Sequence, residues 1–246
     1  MSDQPFIRET AYHWLLGDRL PGCLPEGLLL LFGNSDLYRP EGILSPLEKV
    51  ERIGGFFTGL YGGQPVAFTT PKFGAPIVAM LLEVAALAGV RRVVGIGYVG
   101  GLQPDVRIGD LFVPTRALSL DGTTAAYFGP RHESEPAAAL AEELQRRASA
   151  AGVGVSHGTV VSIDALMLET AEQIQEWREA GYSAVDLETA CLFAVGAHVG
   201  LSCAALHIVS DNQVIRDLDR ERKHHVAREE QVTMGVEAVV ALPDLA

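Results

Sequence analysis

Two carboxylate positions and one glycine cluster hold most of the chemistry this chain offers. The stretch Ser183 to Leu187 reads as a short strand that gives way to a helix from about Glu188. Asp186 and Glu188 then sit beside the positive end of a helix, which favours their ionised form. Such a carboxylate accepts two hydrogen bonds and favours positive charge beside it. A local use is open to both residues as well, since acidic side chains often cap helices. Asp211 follows the last buried strand in Ser210-Asp211-Asn212, a composition equally common in turns and caps. The segment from Val93 to Pro114, VVGIGYVGGLQPDVRIGDLFVP, runs a strand into Gly95, Gly97, Gly100 and Gly101. Glycines at the carboxyl end of a strand let backbone N–H groups approach a ligand, and in an open α/β sheet ligands bind at that edge. A second strand follows these glycines instead of a helix, so this is not a dinucleotide fingerprint. His13, a lone histidine near the N-terminus, is on residue type alone a surface or packing residue.

The elements that position these groups follow from apolar spacing. Gly27 to Phe32 is a continuous apolar run, as in a buried strand, and Leu201 to Val209 reads as another buried strand. Phe56–Tyr61 and Pro65–Thr70 flank Gly62-Gly63, a hairpin signal. Helical spacing covers Pro76 to Ala88, Pro136 to Ala151 and Glu169 to Ala180, each followed by a glycine that can terminate it. Val153 to Ile163 alternates as a strand, and Leu218 to Leu242 reads as an amphipathic closing helix. Tyr127 and Phe128, taken as strand residues, fit a core better than a base-stacking wall. Strands alternating with helices predict a mixed or mostly parallel sheet covered on both faces.

Composition narrows the function classes. The 246 residues carry a formal net charge of −12, which opposes binding to nucleic acid or an anionic membrane. An anionic small substrate would need a local arginine cluster. Cys23, Cys191 and Cys203 have neither CxxC spacing nor an even number, the pattern of free thiols in a reducing cytoplasm. The N-terminal MSDQPFIRET lacks the features of a signal peptide, and no apolar run reaches membrane-spanning length. A soluble cytoplasmic protein is expected.

From about Tyr12 to Arg216 the chain resembles the nucleoside phosphorylase family, most closely its uridine phosphorylase branch. The blocks that carry the likeness are GGLQPDVRIGD (Gly100–Asp110), LSLDGTTAAYFGP (Leu118–Pro130), QEWREAG (Gln175–Gly181) and VDLETACLF (Val185–Phe193). The resemblance implies a three-layer α/β/α fold with a central mixed sheet, one domain over residues 1–246, and an active site shared between subunits of a homodimer or homohexamer. It implies no metal or organic cofactor, with phosphate as co-substrate. In the family a Glu-Met-Glu run binds ribose through its second Glu. Glu188 takes that position, Leu187 replaces the Met and Asp186 the first Glu. His13 matches a histidine that reaches a neighbour's ribose 5′ hydroxyl. Ser210 and Asp211 resemble the purine-cleaving branches, in which the Asp supports protonation of the leaving base at N7.

Phosphate recognition departs from the family pattern. Gly33 keeps its backbone N–H and Arg52 matches an arginine contributed by the neighbour. Leu37, however, replaces a phosphate-clamping Arg, Gly95 replaces a second, and Tyr98 replaces a Ser/Thr and adds bulk. Arg39, two residues past Leu37, could swing into the vacancy. The Gln and Arg that read uracil have no counterpart after Ser162-Ile163-Asp164. The expected reaction is phosphorolysis of a purine or pyrimidine nucleoside to free base and ribose 1-phosphate. Hydrolysis and non-catalytic nucleoside binding are the alternatives.

Overall fold

The computed structural model describes residues 6–33, 47–71, 73–214, 217–218 and 228–241. Leu37 and Arg39 lie outside the described residues. The apolar run GLLLL forms β1 (Gly27–Leu31), and all five of its residues are buried. It pairs in parallel with β4 (Gln64–Thr69) on one side and β5 (Arg92–Gly101) on the other. A strand sandwiched this way is covered on both faces, which is why its sequence does not alternate. The expected hairpin joins β3 (Phe56–Tyr61) to β4, and Gly62 and Gly63 take φ of 55 and 81. Beyond β3 lies β2 (Glu48–Ile53), an exposed and charged strand at one end of the sheet. Charge on an edge discourages strand addition by other chains.

The remaining strands are β6 (Leu111–Ser119), β7 (Glu133–Ser134), β8 (Val155–Ser162), β9 (Ala184–Asp186), β10 (Ser202–Asn212) and β11 (Asp217–Leu218). Their order is β11-β10-β6-β8-β9-β5-β1-β4-β3-β2, with β7 on β6. Parallel and antiparallel pairs both occur, so the sheet is mixed. Because β10 also pairs with β5, the strands β5, β10, β6, β8 and β9 close into a ring. Val99, Val209, Phe112, Val160 and Ala184, one from each of these five strands, pack together with Val106. The ring brings the ends of β5, β9 and β10 to one place.

Helices cover both faces. On one side are α1 (Phe6–Leu16), α2 (Ala75–Leu87), α3 (Gly122–Phe128) and α6 (Thr189–His198). Their core includes Leu16, Leu82, Val84, Leu192 and Phe193. On the other are α4 (Ala138–Ala150) and α7 (Arg228–Ala241), with Leu140, Leu144, Val232, Val236 and Val239 in the core. The short α5 (Ala171–Glu179) packs Trp177 against Leu102, Val161 and Val185. Among the described residues, no helix is long and apolar enough to cross a membrane. The three cysteines are free.

Two expectations need correction. Tyr127 and Phe128 end a helix instead of lying on a strand, because Asp121 caps its start by accepting the Thr124 N–H at 2.7 Å. Leu218 does not open the final helix: Asp217–Leu218 pairs antiparallel with β10, and the described helix begins at Arg228. The sequence reading also passed over α1 and β2.

Candidate active site

The glycine-rich end of β5 meets the ends of β9 and β10. Gly100 pairs with Val185 on β9 and with Asp211 on β10, where a register shift follows Val209. A Cβ on Gly100 would stand 3.1 Å from Asp211 Oδ2 and 3.3 Å from Val185 Cγ1. The absence of a side chain there leaves room for the Asp211 carboxyl beside Val185, which precedes Glu188 by three residues. Burial is the main force raising the Asp211 carboxyl above its ordinary range, partly offset by Ser210 and Gln213. Ser210 Oγ donates to Asp211 Oδ1 at 2.8 Å, and the Gln213 side-chain amide donates to Oδ2. Asp211 is thus oriented from two sides and poised to hold a proton.

Glu188 is the last residue before α6 and is only 5% exposed. Its Oε1 accepts the Gly74 N–H at 2.8 Å. Burial raises its pKa, and the neighbouring Asp186 charge raises it further. This reverses the expectation of a dipole-stabilised anion: desolvation in the buried turn outweighs the partial charge of one helix end. Asp186 is spent locally. Its Oδ1 accepts from Ser162 Oγ, and its Oδ2 accepts from the Thr189 N–H at 3.0 Å and from the Thr189 hydroxyl. Ser162 Oγ accepts in turn from the Ala190 N–H at 2.9 Å. Asp186 therefore fastens the start of α6, and Glu188 is held between the fastened residues. Leu187 turns away to pack with Leu102, Ile163 and Trp177.

Two titratable residues here escaped the sequence reading. His207, fully buried on β10, places Nε2 3.0 Å from Thr189 Oγ1. Thr189 gives its hydroxyl proton to Asp186, so the imidazole must donate from Nε2 and leave Nδ1 bare. Nδ1 has no partner, and burial pushes the imidazole down to about 3, so it stays neutral. Its signal was a polar residue inside the apolar run Leu206–Ile208, which demands a buried partner. Glu169 lines a cleft of about 260 Å³ with Leu120, Ile163, Gln173 and Trp177. Its Oε1 is buried without a hydrogen-bond partner, and burial first and then Asp211 raise its pKa.

The other predicted residues scatter. Gly33, buried at the end of β1, has φ of 120, which suits glycine. Tyr98 packs with the α4 and α7 core, on the opposite side of β5 from Val99 in the ring, so it does not crowd the carboxylate cluster. His13 on α1 has a 65% exposed side chain whose Nδ1 lies 3.3 Å from Asp18. Arg52 stands on the outer strand β2, with Nε donating to the Gly54 carbonyl at 2.9 Å and the guanidinium over the Phe57 ring. Within one chain, then, Asp211 and the strand that leads into Glu188 both border Gly100, while His13 and Arg52 face outward from other elements.

Residues 36–241 match the family model described as the phosphorylase superfamily. The chain belongs to the phosphorylase superfamily. It is 29% identical over 191 residues to a guanosine phosphorylase of Halorubrum lacusprofundi, covering 74% of this chain and 78% of that one. To a uridine phosphorylase of Haemophilus influenzae it is 23% identical over 236 residues, 88% of this chain and 94% of that one. The crystal structure of uridine phosphorylase from Vibrio fischeri superposes with a TM-score of 0.80 at 22% identity, over 92% of this chain and 99% of the other. That likeness establishes the fold.

Inside this superfamily fold, the glycines of β5 serve protein packing more than ligand approach. A Cβ on Gly95 would stand 2.6 Å from Leu192 Cδ2 and 2.8 Å from the Phe32 ring. On Gly97 it would meet His207 Nδ1 and Phe32 at 3.2 Å. Phe32 and Leu192 occupy the room that an arginine at position 95 would need. The position that the resemblance assigns to a phosphate-binding cation is thus an apolar wall.

Proposed function

We propose that the protein is a pentosyltransferase that cleaves the N-glycosidic bond of a nucleoside, with purine nucleosides preferred. What carries the reading is the pair Glu188 and Asp211 at one sheet edge, the first held at a buried turn and the second oriented by Ser210 and Gln213. Ionised Glu188 would accept hydrogen bonds from both ribose hydroxyls and favour the positive charge growing at C1′. Protonated Asp211 would give its proton to the base nitrogen as the C1′–N electron pair moves into the base. A phosphate oxygen then bonds to C1′, giving ribose 1-phosphate. Burial at Asp211 supports the acid role, because it keeps the carboxyl protonated above the ordinary range. Glu169, beside Asp211 in charge range, offers the base a second acceptor.

Gly33 would supply a backbone N–H to phosphate, and Arg39 and Arg52 its cations. His13 and Arg52 would come from a second copy, a reading their outward placement on separate elements supports, making the protein a homodimer or a hexamer of dimers. We place it in the cytoplasm, a reading supported by its free cysteines. A hydrolytic reaction is the second reading, favoured by the apolar wall of Phe32 and Leu192.

The deciding experiment measures free base, ribose and ribose 1-phosphate from inosine, adenosine and uridine, with and without phosphate. Ribose 1-phosphate formed only with phosphate, and faster from the purines, is the expected result. Ribose at a rate indifferent to phosphate would make the protein a hydrolase, and no product from any nucleoside would leave a binding protein.

A further inference from the structure

His13 and Arg52 lie on different elements, yet one turn ties them together. The turn Gly54-Gly55 joins β2 to β3 and sits against the last residues of α1. The Gly55 N–H donates to the Leu15 carbonyl at 2.7 Å, and Leu15 is two residues beyond His13. Gly54 has φ of 62, and a Cβ there would stand 2.0 Å from the same Leu15 carbonyl oxygen. No side chain can share that space, because the obstacle is backbone. Arg52 Nε donates to the Gly54 carbonyl at 2.9 Å, so the guanidinium is anchored to this very turn. From the other side Thr69 Oγ1 donates to the Gly55 carbonyl at 2.9 Å, and Leu16 and Phe56 are buried in one cluster.

We infer that Gly54-Gly55 is a positioning turn that locks the His13 helix to the Arg52 strand, so that both side chains are presented to a second copy of this chain as one rigid unit. The inference rests on the shared-site reading above and adds to it that nucleoside and phosphate binding in the partner fail together when the turn shifts. Neither Gly54 nor Thr69 touches substrate. Each acts through the two residues the turn carries. A displacement of about 1 Å at such groups can cost on the order of a hundredfold.

Gly54→Ala forces the turn off Leu15. The expected result is a rise in KM for nucleoside and in KM for phosphate together, each about ten- to hundredfold, in a protein that keeps its circular dichroism. His13→Ala should move the nucleoside KM alone, and Arg52→Ala the phosphate KM alone. Mixed dimers of Gly54→Ala with Glu188→Gln subunits then separate cis from trans. One of their two sites joins an intact Glu188 to an intact turn, so both KM values should return to wild type there. Should Gly54→Ala not fold, Thr69→Val removes one anchor of the same turn and should raise both KM values in a smaller degree. Unchanged KM values in the folded variant, or movement of only one, would overturn the inference and leave the proposed function standing. Mixed dimers that keep the Gly54→Ala values would overturn the inference together with the shared-site reading, while the glycosidic cleavage proposed for Glu188 and Asp211 would stand. A wild type without phosphate-dependent cleavage, or silent His13→Ala and Arg52→Ala variants, would overturn both.

Discussion

The carboxylate corner and the side of this sheet edge proposed to take phosphate are built by opposite means. At the corner, Asp186, Ser162, Thr189 and His207 are buried and bound to one another, and they fix the turn that carries Glu188. On the other side the described residues offer an apolar wall, Phe32 and Leu192 over Gly95, and a cation on the far edge strand. Buried polar groups are costly without partners, and at this corner all but His207 Nδ1 are supplied, so it can tolerate little change. An apolar wall is less demanding and can be exchanged for another filling of similar volume. On the proposed reading, the chain would keep the half of the site that handles sugar and base within itself and would take the anion-binding elements from a second copy.

The largest expected effect lies at the corner. Glu188→Gln keeps the Gly74 contact but cannot carry the charge that C1′ calls for. Loss of such a contact in a desolvated site raises the barrier by about 2–4 kcal/mol, roughly thirty- to a thousandfold in kcat/KM. Because Glu188 titrates above the usual carboxylate range, the wild-type kcat/KM should climb with pH through a limb well above pH 5, and that limb should vanish in the variant. A wild-type profile already flat from about pH 5 would mean that Glu188 is ionised in the empty site.

Arg52 tests the other side. If the anion depends on a cation reaching in from a second copy, Arg52→Ala should weaken phosphate binding about ten- to hundredfold, the cost of a charge-assisted contact of roughly 1.5–3 kcal/mol. Phosphate titrations at saturating nucleoside read this directly. An unchanged phosphate KM would take Arg52 out of the site and sharpen the case for water as the acceptor.

The contrast extends to what the residues themselves announced. The positions of Glu188 and Asp211 were legible because each stands at the end of a buried strand, a local pattern. The ring of β5, β10, β6, β8 and β9 was not, since it depends on pairings between distant segments. Without the ring, the β5 glycines looked like openings for a ligand, whereas Leu192, Phe32 and His207 fill the space beside Gly95 and Gly97. Helix α3 was misread because its aromatic end outweighed the Asp121 cap before Gly122. Asp186 and Glu188 were read with one environment, yet the first is bonded to side chains on both oxygens and the second accepts from the Gly74 backbone.

Gly95 gives a stability test of the wall. Gly95→Ala must push Leu192 or Phe32 aside, and overpacking a core costs about 1–3 kcal/mol. For a chain of this size that lowers Tm by several degrees, since ~1 kcal/mol corresponds to about 2–4 °C. Gly95→Arg should be worse. A well-folded, more phosphate-responsive Gly95→Arg protein would show that the wall yields and that the two sides differ less than their packing suggests.

The smallest effect returns to Glu188 and concerns its cost to the fold. Its folded pKa is raised above the unfolded value near 4.3, so between those two values the native state binds more protons than the unfolded chain. Stability contributed by the protonated form is therefore full below the unfolded pKa and declines as pH rises through the window up to the folded value. Glutamine keeps the neutral shape and removes that decline. Glu188→Gln should accordingly match wild type in Tm near pH 4.5 and exceed it by a few degrees at neutral pH. Thermal melts of both proteins across pH 4.5–8 read the divergence. A variant that is inactive yet no more stable at neutral pH would mean that Glu188 is ionised there without penalty, and the corner would then be as permissive toward charge as the outer strand that carries Arg52.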